Sequence, residues 1–228
     1  MTLIVACGLT REAQVIARPG RDVLTVAGGG DSARLERELD RLAGIFPGVI
    51  LSSGVAGALD SALRPGDLVI DGQPDLLDHL RHILPHAAVG AVIGSDSIVA
   101  TPAHKRSLHR FAGALAVDME THVAARVAGR RRLPFAVVRV ISDSVDDALP
   151  PAALAGMRPD GGVALGAVLR SLFRQPRQLG ALIRTGRHAG RAFRALARAH
   201  EALARAGFDR LTLATPPDDA PRRRAGSA

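Results

Sequence analysis

The chain has 228 residues, a formal charge of +8 and one cysteine. That length suits one domain with an appendage and a sizeable core, and a single cysteine excludes an internal disulfide or a cysteine-rich metal site. Hydrophobic residues make up 47% and aromatics only 3%, with no Trp and no Tyr, so Val, Leu, Ile and Ala must build the core. The positive charge is local: residues 170–228 hold 13 arginines against 4 acids, whereas residues 1–169 are close to neutral. The opening run, residues 1–7, has no basic leader and is too short for a signal peptide, and no stretch reaches the roughly 18 apolar residues of a membrane span. A cytoplasmic location is the expectation.

Residues 3–7 read as a short buried strand ended by Gly8, and Thr10-Arg11-Glu12 as a helix start with Thr10 as its N-cap. Residues 22–27 form a second strand, Gly28-Gly29-Gly30 a turn, and Asp31 or Ser32 caps a helix to about residue 43, whose Leu35, Leu39 and Leu42 recur at helical spacing. A third strand, 49–52, precedes Gly54-Val55-Ala56-Gly57. Pro65-Gly66-Asp67 is a turn before a fourth strand, 68–71. Residues 75–84 read as a helix, 88–94 as a strand, 102–112 as a helix and 115–117 as a strand feeding Asp118-Met119-Glu120. A helix over 121–129 and a last strand over 135–141, running into Ser142-Asp143, complete the pattern. Strands alternating with helices predict an α/β domain with a mixed, largely parallel sheet covered by helices. In such sheets ligands bind at the carboxyl ends of the strands, where these acids fall.

After Pro150-Pro151 an apolar helix is expected over 161–173, punctuated by Pro176. From 178 to about 208 a helical pattern sets Leu179, Leu182, Ile183, Phe193, Leu196 and Leu203 on one side, with Arg184, Arg187, Arg191, Arg194, Arg198 and Arg205 beside them. The division expected is residues 1–173 as the α/β domain and 174–228 as a basic amphipathic helical extension, with a disordered tail over 216–228.

Four motifs in this order, Gly54-Val55-Ala56-Gly57, Pro65-Gly66-Asp67, Val117-Asp118-Met119-Glu120 and Arg139-Val140-Ile141-Ser142-Asp143, resemble those of the nucleoside phosphorylase and nucleosidase superfamily. The resemblance covers about residues 3–147 and implies that superfamily's phosphorylase/hydrolase-like fold and cleavage of a purine N-glycosidic bond. Its basic, apolar C-terminus makes the chain most similar to the hopanoid-associated phosphorylases, or adenosylhopane nucleosidases. That likeness implies release of adenine from adenosylhopane to give ribosylhopane or its phosphorylated form. The alternative is a soluble purine nucleoside phosphorylase or methylthioadenosine/S-adenosylhomocysteine nucleosidase.

The chemistry asks for these residue types. The departing purine must be neutralised, and the sugar passes through an oxocarbenium-like state, the problem that glycosidases solve with two carboxyl groups. The resemblance gives Asp143 the part of the acid at purine N7, for which it must hold a proton at neutral pH, and burial in a strand-end pocket favours that. Glu120 would hold the ribose hydroxyls, with Met119 packed on the sugar face. Ser142 would orient Asp143 or touch the base. Val55, Ala56 and Gly57 would form the wall by sugar and base, valine standing where relatives often have a small hydroxyl residue. Asp118 stands where nucleosidases often have glutamate, and it carries no assigned role.

By position, Glu12 matches the base that activates the attacking water, or else is a surface helix acid. Arg11 beside it could bind phosphate. Hydrolysis and phosphorolysis therefore both stay open. No metal or organic cofactor is called for, phosphate being the one co-substrate considered. His79, His82 and His86 read as solvated helix histidines and Cys7 as a core residue. An apolar face beside Arg184, Arg187, Arg191, Arg194 and Arg198 suits a helix lying on the inner face of the membrane, against the alternative of a helix packed on the domain. The expected partners are a small or lipid-linked nucleoside, that membrane surface and further copies of the chain, and not nucleic acid.

Overall fold

The computed structural model describes residues 2–18, 23–46, 48–156 and 164–208. The beginning of the expected helix over 161–173 and the expected disordered tail lie outside the described residues. An eight-stranded mixed sheet organises the rest. Its main path runs β2 (Val23–Ala27), β1 (Thr2–Cys7), β3 (Gly48–Ala58), β8 (Phe135–Asp143), β4 (Leu68–Gly72) and β5 (Ala88–Val89). The pairs β1–β2, β1–β3, β3–β8 and β4–β5 are parallel, whereas β4–β8 is antiparallel. Two short strands, β6 (Val92–Gly94) and β7 (Ala116–Asp118), pair in parallel, and β7 joins the far end of β3 antiparallel.

The strands are apolar because both faces of the sheet are covered. On one face Val5, Leu51, Ile70 and Val138 pack with Ile16 of α1 (Thr10–Ile16), Leu76 and Leu80 of α3 (Pro74–Ile83) and Leu203. On the other, Ile4, Ala6 and Ile50 meet Leu35 and Leu39 of α2 (Ser32–Ile45) and Val123 and Val127 of α5 (Thr121–Arg131). Asp31 caps α2 by accepting the Arg34 N–H at 2.8 Å.

Four local expectations change. Leu9, not Thr10, is the N-cap of α1, and the Glu12 carboxylate takes up the free Gly8 and Leu9 N–H groups at 2.8 and 2.7 Å. The strand expected over 49–52 does not end there: β3 continues through the glycine-rich stretch to Ala58, held by β8 along its length and β7 at its tip. The strand expected over 88–94 splits into β5 and β6 around Gly90.

The fourth change concerns the C-terminus. After α6 (Pro151–Gly156), α7 (Leu165–Arg174) and a single 3₁₀ turn, α8 (Leu179–Arg205) runs 27 residues, about 40 Å. Its second half belongs to the domain. Ala192, Ala195, Leu196, Ala199 and Leu203 are buried, and Val140 of β8 packs with the first three. His200 Nε2 lies 2.8 Å from Ser53 Oγ of β3, both buried. The buried stripe is thus largely alanine, which lets the helix lie close on the sheet. Leu179 and Ile183, expected on the same side, are 51% and 47% exposed. A domain boundary at residue 174 would cut through this packing. Among the described residues no helix is long and apolar enough to cross a membrane.

Candidate active site

The ends of β1, β3, β7 and β8 meet around a cavity of about 420 Å³. Asp143 and Ser142 line it from β8, Asp118, Met119 and Glu120 from β7 and the residues after it, Val55, Ala56 and Gly57 from β3, and Glu12 from α1. Eight of the nine residues assigned from sequence are therefore brought together. Arg11 is not. Adjacent residues on a helix point about 100° apart, so while Glu12 turns to the strand ends, Arg11 lies with its guanidinium 4.4 Å from the centre of the Phe193 ring on α8.

Glu12 is a buried carboxylate that accepts three backbone N–H groups. Val55 N–H donates to Oε1 at 2.7 Å, and Gly8 and Leu9 N–H donate to Oε2. Burial pushes its pKa up from the usual carboxylate range, against the pull of Arg139 and these three N–H groups. Glu120, 7% exposed, is pushed up to about 8 by burial, with Arg139 opposing and the Asp118 and Glu12 charges adding to the rise.

Two glycines make room for these acids. A Cβ on Gly54 would stand 2.7 Å from Glu12 Oε1, and one on Gly8 would stand 2.7 Å from Glu120 Oε1. Any side chain at either position would displace a carboxylate.

Arg139 lies beneath the cavity with no exposed surface. Its Nε is 2.6 Å from Asp118 Oδ2, its Nη2 is 2.7 Å from Ser52 Oγ and 3.3 Å from Glu120 Oε2, and its Nη1 donates to the Val55 carbonyl at 3.4 Å. An arginine inside the apolar run of β8 has to bring partners with it, and here they include two cavity acids. Asp118 also accepts the Glu120 and Thr121 N–H groups at 3.0 and 2.8 Å and contacts Thr121 Oγ1. Its short side chain braces Arg139 and the start of α5.

At the other side of the cavity, Ser142 Oγ is 2.6 Å from Asp143 Oδ1 and 3.1 Å from the Ala56 carbonyl. The second carboxylate oxygen of Asp143 contacts Lys105 Nζ. Lys105, from the first turn of α4 (Pro102–Ala112), has no exposed surface and is the buried residue of that helix. Its Nζ also donates to the Ser144 and Asp147 carbonyls at 2.7 and 3.0 Å. Lys105 was invisible in the sequence, where it sits among polar residues of a surface-type helix. Arg139 had a signal, being a charge inside a strand otherwise built of Val, Ala and Ile.

Cys7 is buried in β1 with Sγ 3.5 Å from the Val26 carbonyl, and burial, with the Glu12 charge next, pushes its thiol well above the usual range. His79 and His82 face solvent and contact the Asp75 and Asp78 carbonyls. No group of three or more metal-ligating side chains occurs among the described residues.

Residues 71–172 match the family described as the phosphorylase superfamily. Among curated proteins, the 5′-methylthioadenosine/S-adenosylhomocysteine nucleosidase of Staphylococcus epidermidis is 27% identical over 130 residues, 42% of this chain and 57% of that one. The match thus spans little more than half the length of this relative. Among solved structures, a mutant nucleosidase of Helicobacter pylori with 5′-methylthioadenosine in its active site superposes with a TM-score of 0.64 at 16% identity, covering 92% of this chain and 99% of that one. Futalosine hydrolase of the same organism gives a TM-score of 0.57 at 18% identity, covering 77% and 98%. These likenesses establish the mixed α/β fold.

Proposed function

We propose, from the match of residues 71–172 to the phosphorylase superfamily, that the chain hydrolyses the N-glycosidic bond of a purine nucleoside. One observation carries the reading: a single cavity holds Asp143 with Ser142, Glu120 with Met119, and Glu12. Asp143 gives a proton to the purine as its bond to C1′ lengthens. Glu120 holds the ribose hydroxyls. Glu12, fixed by three N–H donors, takes the proton of the water that attacks C1′.

Water is favoured over phosphate by the lining of the cavity. Asp31, Asp118 and the three acids named above face it, and no basic side chain is among the described lining residues. A phosphate would find no cation in contact among the described lining residues. The reaction so read calls for no metal or organic cofactor.

The substrate we favour is an adenine nucleoside with an apolar 5′ group, adenosylhopane, cleaved to ribosylhopane at the inner face of the cytoplasmic membrane. Its support is the α7–α8 hairpin. Phe173 is 86% exposed and Leu179 and Ile183 about half exposed, with Arg170, Arg174, Arg177, Arg184 and Arg187 exposed around them. Apolar side chains ringed by arginines suit an anionic lipid surface. The Gln178 side chain, just before α8, accepts the Ala152 N–H at 2.9 Å, three residues along the chain from the cavity-lining Leu149. The second reading, a methylthioadenosine/S-adenosylhomocysteine nucleosidase, is favoured by the names of the curated relatives. Adenine release from adenosylhopane in anionic vesicles and from 5′-methylthioadenosine in solution, each with and without phosphate, separates the two. Faster turnover of vesicle-borne adenosylhopane supports the lipid reading, and turnover of the thionucleoside alone rules it out.

A further inference from the structure

The geometry points to Lys105 as the residue that supplies Asp143 with the proton it passes to the departing base, an inference that rests on the reading of Asp143 as the purine acid. Three acceptors surround Lys105 Nζ: Asp143 Oδ2, the Ser144 carbonyl and the Asp147 carbonyl. The two carbonyls can only accept, so they take two N–H bonds and leave the third direction to Asp143. Along that direction an ammonium donates to a carboxylate, or a carboxyl donates to an amine. The hydrogen-bond set is complete in both states, so a proton crosses between them without any atom changing partner.

Stability gives no reason for this lysine. It is the buried residue of α4, on a helix whose other side chains lie at the surface or only partly covered. Lysines are almost never fully buried unless paired, and an apolar side chain of similar volume commonly packs as well or better in place of a buried ion pair. The side chain of Lys105 has no exposure while that of Asp143 keeps 11%. Asp143 is therefore the port through which Lys105 exchanges protons with the cavity.

The protons balance. A proton crosses from Lys105 Nζ to the Asp143 carboxylate, leaving an amine. As the bond between C1′ and N9 breaks, its electron pair leaves with the base and N7 takes that proton from Asp143, which returns to a carboxylate. Water bonds to C1′ and gives its proton to Glu12. After release, a proton passes through solvent from Glu12 back to the Asp143–Lys105 pair, so one water is consumed and the protein is unchanged. Lys105 touches no substrate and acts through Asp143 as a positioning and proton-supplying residue.

The test is Lys105→Met with two kinds of substrate. Purine probes, 5′-methylthioadenosine, adenosine and adenosylhopane, need a protonated leaving group. The 4-nitrophenyl β-D-ribofuranoside does not, because its phenolate leaves as a stable anion. On the best purine probe kcat falls at least about 100-fold with KM within about threefold, while nitrophenyl riboside cleavage stays within about threefold. Asp143→Asn gives the same pattern, and the double variant is no slower than Asp143→Asn alone, as expected of residues acting as one unit. If Lys105→Met does not melt cooperatively, Lys105→Gln is read in the same assays. Full purine turnover in the lysine variant, or parallel loss on both substrate types, overturns the role of Lys105. If Asp143→Asn is dead on purines while Lys105→Met is not, only the lysine's role falls. If Asp143→Asn keeps full purine turnover, or the wild-type protein releases adenine from none of the probes, the underlying reading of Asp143 falls with it.

Discussion

Arg139 Nε lies 2.6 Å from Asp118 Oδ2, with 0% and 1% of the two side chains exposed. This pair ties the middle of β8 to the end of β7, and so holds the strand that presents Asp143 against the one that presents Glu120. Removing one partner of a buried pair leaves the other charge unsolvated, at a cost of about 3–5 kcal/mol. Asp118→Ala should therefore lower the melting temperature by roughly 10 °C in a chain of this size. Calorimetry checks it. A melting temperature equal to that of the wild type would show that Asp118 does not brace Arg139.

Glu12→Gln separates water activation from binding. The amide keeps the side-chain volume and an oxygen for the Val55 N–H, but it cannot accept a proton from water. Hydrolysis should slow by about 10²–10⁴-fold with KM nearly unchanged. Steady-state kinetics on the best purine probe checks this, and a KM effect without loss of kcat would move Glu12 from chemistry to binding.

Glu120 makes the stability of the ligand-free protein depend on pH. Its pKa is pushed from 4.5 to about 8 in the fold, and burial moves that of Glu12 in the same direction. Between those values the folded state holds protons that the unfolded chain has released. The contribution is complete below about pH 4.5 and is lost as the pH rises through about 8. Melting temperature should thus fall between about pH 5 and 8.5, and Glu120→Gln should flatten most of that slope. An unchanged slope in the variant would contradict the assignment.

The exposed apolar tip of the α7–α8 hairpin gives a membrane test that spares the fold. Phe173 and Leu179 are 86% and 51% exposed, so Phe173→Ser with Leu179→Ser should leave the melting temperature within about 1 °C of the wild type. Sedimentation with anionic vesicles should drop at least about tenfold. Undiminished sedimentation would exclude the hairpin tip as the lipid contact.

How much of this could be read from the sequence depended on whether the signal was local. The strand ends at Asp118-Met119-Glu120 and Ser142-Asp143 were legible because an apolar run breaks into acids there. Glu12 was legible only as one of two neighbours: the helix turn that sends it inward and Arg11 outward depends on α8 supplying Phe193. The course of β3 past residue 52 was hidden because glycines carry no side-chain alternation, and they are glycines to clear space for carboxylates. The buried stripe of α8 was misread because alanines at 192, 195 and 199 carry less hydrophobic signal than Leu179 and Ile183, which lie more open to solvent. Lys105 had no signal, since its partners lie 38 to 42 residues away in the chain.

The central claim is that Asp143 protonates a purine leaving a ribosyl carbon attacked by water. Its most direct test is adenine release in ¹⁸O-labelled water by the wild type and by Asp143→Asn, each supplied with 5′-methylthioadenosine and with adenosylhopane. The account predicts adenine and a free sugar carrying ¹⁸O at C1′, at a rate indifferent to added phosphate, and a loss of about 10²–10⁴-fold in the variant with KM nearly unchanged. Adenine release at the wild-type rate in Asp143→Asn, or a sugar product bearing phosphate in place of labelled oxygen, would contradict it.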